Sequence, residues 1–389
     1  MTQLSAEDEL RLQVLLTQDL DVIRIDESKM VLHALTNNDE IQMQLHPTEP
    51  DEYYLKKIRQ TLSSHILGSP SGYPLYLKRW TRMGQINTNL KKLLLLGEPE
   101  AISAVIHAPD LNADLARLAW WAAPEAANAR QMLENKSVAH SSLGQVLAQF
   151  LIEHIPFETK SIHISNSVRL ILQNELADKE MQHNLWQRGE KHIAYRIGFL
   201  LGIPNNIPLD CSPHESYEKL DSHTIDDQLL LHLKQLLSPQ GQAYLVTVAQ
   251  SIQSATDQDD MIQIFTGLKN YFRNLHNEQT HHRCVTEIEA SVESHWKQID
   301  TLPYLELALD PLLKAMFSLS LIEESILDKT FGLTDAVGSV MRNKLKPQTA
   351  LINQWIKTLC SQENKEIINA LDSVRRRKRS SDLKLSRPQ

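Results

Sequence analysis

Apolar and polar positions follow two different periods along this chain. Between residues 22 and 46 the period is two. Ile23 and Ile25 alternate with Arg24 and Asp26, Met30–Leu35 is a compact apolar run, and Ile41, Met43 and Leu45 alternate with Gln42, Gln44 and His46. Alternation places one set of side chains on each face of a strand. With Asn37-Asn38-Asp39 as a turn, the pattern predicts a small antiparallel β-meander. A helix is expected before it, because Ser5 is a good N-cap and Asp8 stands at the third helical position, ahead of Leu10, Leu12, Val14 and Leu15.

From Pro50 onward the period becomes helical. Leu55, Ile58, Leu62 and Ile66 form one stripe. Further apolar runs follow at 75–83, 86–96, 102–106, 111–119, 124–133 and 143–151, separated by Gly97, Pro99, Pro109, Pro124 and Pro156. The loop at 202–213 holds three prolines and no period, and marks an expected domain boundary. Beyond it, helices are expected over 225–237, 241–254, 258–275, 283–299, 303–322, 330–344 and 348–372. The fold class that follows is mainly α: an irregular array of helical hairpins, solenoid-like, behind an N-terminal β-meander. The domains expected are 1–50, 51–203 and 214–374, with 375–389 as a disordered basic tail.

Charge sharpens this picture. The 389 residues carry 40 Lys and Arg against 48 Asp and Glu, a formal net charge of −8. Yet residues 51–96 hold eight basic side chains against two acidic ones, +6, together with Tyr53, Tyr54, Tyr73, Tyr76 and Trp80. The segment 375–389 adds another +6 from its arginine run, so the remainder stands at −20. Such a chain repels nucleic acid over most of its surface and attracts it, if anywhere, at those two places. The longest aliphatic run is Leu93–Leu96, far short of the roughly 20 residues of a membrane span. Glu7, Asp8 and Glu9 stand where an export signal is basic and then apolar. Three cysteines, Cys211, Cys284 and Cys360, make no disulfide framework, and an odd count suits a reducing cytoplasm, where the protein is expected.

Four candidate sites emerge. A glycine–proline turn, Gly68 to Pro74, precedes Lys78, Arg79 and Arg82. Ser69, Ser71 and Gly72 offer donors to an anion or acidic partner there, and the basic side chains add charge. The pattern is neither a Walker loop nor a dinucleotide fingerprint, and proline stands where a nucleophile-elbow serine belongs. Cys211, in a loop with Asp210 and His214, is a candidate reactive thiol or sulfur carrier if the histidine lowers its pKa. His276, His281, His282 and Cys284 are metal-capable, but their spacing supports no tetrahedral set, so no metal and no cofactor is expected. Trp120-Trp121 places one indole toward a core and its neighbour toward a seam. No catalytic constellation is visible.

The stretches Val22–Val31 and Leu62–Gly84, with Leu93–Ala101 and Ala119-Trp-Trp-Ala122, resemble the DsrS family. These are soluble proteins encoded with the dissimilatory sulfite reductase (dsr) genes of sulfur-oxidising bacteria. The resemblance is firmest over residues 22–157. It implies a non-catalytic cytoplasmic accessory or regulatory role in sulfur oxidation, acting through protein–protein contacts. That family brings no catalytic residues with it. Two other readings stand beside this one: an RNA- or anion-binding regulator using the basic segments, and a sulfur carrier using Cys211.

Overall fold

Ser5 caps the first helix as its position in the sequence predicts: its hydroxyl accepts the Asp8 amide of helix α1, Ala6–Leu16. This computed structural model describes residues 4–37, 39–68, 90–221, 228–275, 282, 284–296, 309–327 and 337–369. These divide into two compact units, Met1–Pro156 and Phe157–Gln389. The architecture is mainly helical, with one small antiparallel sheet near the N-terminus.

In the first unit β1 (Leu20–Asp26), β2 (Val31–Thr36) and β3 (Glu40–Gln44) form a meander in the order β1-β2-β3. The register aligns Ile23 with Ala34 and Ile41, and Ile25 with Leu32 and Met43. One face is therefore apolar. It shares a core with Leu12 and Leu15 of α1 and with Tyr54, Leu55, Ile58 and Leu62 of α2, Asp51–Leu67. Helix α2 ends at Gly68, whose φ of 67° suits a residue without a Cβ. The opposite face carries Arg24, His33, Glu40 and Gln42. Arg24 lies 4.6 Å over the Trp121 ring and donates to the Trp121 carbonyl at 3.3 Å. Glu40 receives His33 at 3.0 Å. Short helices complete the unit: α3 (Leu90–Leu93), α4 (Pro99–Ile106), α5 (Ala113–Ala122), α6 (Ala126–Leu133), α7 (Lys136–Ala139) and α8 (Ser142–His154). Trp120 of α5 meets Phe150 of α8 edge-on at 4.9 Å.

The second unit runs through α9 (Ser161–Gln173), α10 (Lys179–Arg188), α11 (Ile193–Gly202), α12 (Tyr217–Asp221), α13 (Gln228–Leu237), α14 (Pro239–Ser254), α15 (Gln258–Tyr271), α16 (Val285–Trp296), α17 (Asp310–Ser320) and α18 (Gly338–Leu359). Residues 362–369 are helical again. Helices α9 and α11 pack most closely because Gly198 faces Val168. A Cβ at Gly198 would stand 2.5 Å from the Val168 Cβ. From the other side α9 is tied to α15 by Ser161 to Asp260 and Ser165 to Gln263. Because α11 also packs on α14 and α15, the helices before and after the loop at 203–213 belong to one unit. The contacts part at Pro156 and not at 203–213. Likewise the meander and α2 belong to one core, so residue 50 separates no structural unit. Pro347 does not break a helix, as its sequence position suggests, but sits within α18. The break comes at Cys360, which is extended, and Ser361, whose hydroxyl accepts the Asn364 amide.

One buried carboxylate holds the first unit together. Asp8 is fully buried and accepts the Tyr54 hydroxyl, the His46 amide at 2.7 Å and the His46 ring at 3.1 Å. Burial acts to raise its pKa, and these hydrogen bonds together outweigh burial and hold it below the ordinary value of 3.8. A carboxylate depressed in the folded state stabilises it above the unfolded value, and that stability is lost as pH falls through the folded value. Tyr54→Phe is expected to cost about 1–3 kcal/mol by leaving Asp8 under-bonded. Asp8→Asn should in addition flatten the stability profile at acid pH below 3.8. Urea melts of both variants across that range check this, and an unchanged acid slope in Asp8→Asn contradicts it.

Candidate interaction surface

Among the described residues of the basic, aromatic stretch at 51–96, four side chains are engaged inside the first unit: Tyr54, Lys57, Arg59 and Lys91. Tyr54 is fully buried on Asp8. Lys57 pairs with Glu49, and Arg59 pairs with Glu27 while donating to the Gly97 carbonyl at 3.3 Å. Lys91 meets the buried Asp21 at 2.7 Å. Among the described residues of the stretch, Tyr53, Lys56 and Lys92 are exposed. Ser69, Ser71, Gly72, Lys78, Arg79 and Arg82 lie outside the described residues, as do His276, His281 and the 375–389 tail. His282 is buried against the Ser291 hydroxyl at 2.9 Å, and no group of three metal-capable side chains occurs among the described residues.

The sheet edge has a different character. The amide of Leu45 donates to Met30, and that of Thr36 to Asp39. Antiparallel ladders alternate, so residues 41, 43 and 45 aim their backbone groups at β2 and residues 40, 42 and 44 aim theirs away. The outward set continues at His46, whose amide is taken by Asp8. On the far side of the sheet, β1 is covered: the Ile23 amide donates to the Leu94 carbonyl at 2.9 Å. Among the described residues nothing pairs with the outward edge of β3 over Glu40–Gln44.

Beside that edge runs a groove of about 500 Å³ between α1 and β3. Leu10, Val14 and Leu15 line one wall, Ile41 and Met43 the other, with Arg11, Gln18, Gln42 and Gln44 at the rim. Leu10 and Val14 are 63% and 55% exposed, while Leu12 and Leu15 are buried. Helix α1 thus has two apolar stripes. Asp8, Leu12 and Leu15 face the core, and Leu10 with Val14, four residues apart, faces the groove. Treated as one amphipathic run, Leu10, Leu12, Val14 and Leu15 of α1 hide this second stripe. The spacing of Leu10 and Val14 is the signal that separates them.

Cys211 is half-buried in the loop before α12. Burial, then the Asp210 charge, push its thiol up to about 11. The direction is opposite to the activation that a neighbouring histidine was expected to give. Burial likewise disfavours the charged form of His214 and holds it below its ordinary value.

The ladder parity has a direct consequence. Gln42→Pro removes an amide that β2 does not use, whereas Met43→Pro removes a ladder bond and a buried side chain. Chemical melts should show a loss of about 3 kcal/mol or more for Met43→Pro and less than half of that for Gln42→Pro. Equal losses refute the assignment of the free edge. No family model matches this chain, and neither a curated protein nor a solved structure is similar to it.

Proposed function

We propose that this protein is a non-catalytic interaction protein that docks an extended segment of a partner along β3. The observation that carries the reading is the outward edge of Glu40–Gln44 lying beside an apolar groove. Strand addition uses main-chain hydrogen bonds for affinity and side-chain pockets for register. Residues 41–44 carry no charge, and Arg11 at the rim is paired with Glu7. The segment that fits is therefore uncharged in its middle, with apolar side chains at alternate positions over Leu10 and Val14. Natural edges of this kind are usually blunted by charge, proline or a covering loop. Here Glu40 alone supplies charge, and it is engaged by His33 and Arg24.

The likeness to DsrS proteins adds the setting. We place the chain in the cytoplasm as an accessory to sulfur oxidation through reverse sulfite reductase, and its partner among the enzymes or sulfur-relay proteins of that route. Titration calorimetry with purified sulfite reductase and sulfur-relay proteins tests this. At least one should bind. Val14→Lys should weaken that binding about tenfold, near 1.4 kcal/mol, and Gln42→Pro should do so at least as strongly. If none binds, the setting falls. Binding that survives both substitutions unchanged removes the β3 edge as the docking site.

A further inference from the structure

Independently of that edge, the second unit brings together two thiols 149 positions apart. The loop between α11 and α12 lies on the segment that follows α18. The Asn364 side chain donates to the Ser212 carbonyl at 2.8 Å, and the Ser212 hydroxyl bonds Glu363. The Gln362 amide donates to Glu215 at 2.9 Å. Gln242 of α14 sits beneath and accepts both the Ser361 amide at 2.8 Å and the Asn364 side chain at 2.9 Å, while donating to the Leu359 carbonyl at 2.8 Å. Cys211 precedes Ser212, and Cys360 precedes Ser361. Bonds on neighbouring residues thus fix both cysteines in one small region, where both thiols are free.

We infer that Cys211 and Cys360 form a dithiol that closes to an intramolecular disulfide under a low-molecular-weight disulfide oxidant. Cys360 is fully buried and Cys211 half-exposed, so the order of events is set by access. The Cys211 thiolate attacks the small disulfide and expels one thiolate. The Cys360 sulfur, as thiolate, then attacks Cys211 in the mixed disulfide and expels the second. Two protein thiols are oxidised, the small disulfide is reduced to two thiols, and the protons of Cys211 and Cys360 end on those products. The titration of the two groups agrees with their proximity. Burial first, and then the Cys211 charge, push Cys360 up to about 12. Closure is therefore slow at neutral pH. The product joins the loop before α12 to the end of α18, and clamps both onto Gln242.

The test uses the full chain, oxidised glutathione in mildly alkaline buffer, an alkylating quench and peptide mapping under non-reducing conditions. The expected product is a peptide pair linking Cys211 to Cys360, lighter by two hydrogens, with Cys284 free or glutathionylated. Its rate of formation should rise about tenfold per pH unit below the Cys211 pKa. Cys211→Ser and Cys360→Ala should each abolish the link, and Cys284→Ser should leave it intact. A wild-type chain that stops at a glutathione adduct on Cys211, with Cys360 alkylated only after unfolding, overturns the inference. So does a link that joins Cys284 instead. The wild-type map decides even where a variant fails to fold.

Discussion

A single buried carboxylate organises the N-terminal unit. Asp8 stands in the first turn of α1, where the amide ends of the helix favour negative charge. A lone buried carboxylate is costly, and the surroundings answer that cost with three donors from two directions. The Tyr54 hydroxyl comes from α2, and the His46 amide and ring come from the chain leaving β3. Helix, strand exit and helix are pinned at one point. The angle of α1 against β3 is fixed there, and with it the groove between Leu10, Val14 and the sheet. The same His46 amide is the next outward-facing group after Gln44. Asp8 therefore also marks where the free edge stops.

The two edges of the sheet have been treated differently. At β1 the backbone is covered by the chain leaving α3, through Ile23 and Leu94, and Asp21 is held by Lys91. At β3 the ladder ends without a cover among the described residues, and the neighbouring helix presents apolar side chains rather than charge. An edge left open in this way, beside exposed Leu10 and Val14, is tolerated where something extended occupies it. The polar face of the sheet carries engaged side chains instead. Arg24 is occupied by Trp121 and Glu40, and His33 by the same carboxylate.

How much of this is legible in the sequence depends on how local the determining contact is. The Ser5 cap, the alternation through Ile41, Met43 and Leu45, and the α2 stripe involve neighbours within a few positions, and all are found where the pattern places them. Tyr54 reads as part of a cationic, aromatic surface because its partner stands 46 positions earlier. The same holds for Lys57, Arg59 and Lys91, whose carboxylates come from Glu49, Glu27 and Asp21. A window count of charge sees the cations and misses the anions that fold onto them. Pro347 misleads for a related reason. A proline disfavours a helix locally, but packing along α18 carries the helix through it.

The loop after α11 shows the same limit at longer range. Three prolines and no periodicity describe a connector, and by local criteria a connector separates domains. What the sequence does not display is that Gln242 reaches residues 359, 361 and 364 from the first turn of α14. That glutamine draws the end of α18 under the loop, and Asn364 and Glu363 then hold Ser212. Burial, and then the Asp210 charge, disfavour the thiolate form of Cys211. Cys360 lies on the same segment, one residue before Ser361, whose amide Gln242 accepts. One side-chain amide, that of Gln242, thus organises the segment on which the loop rests.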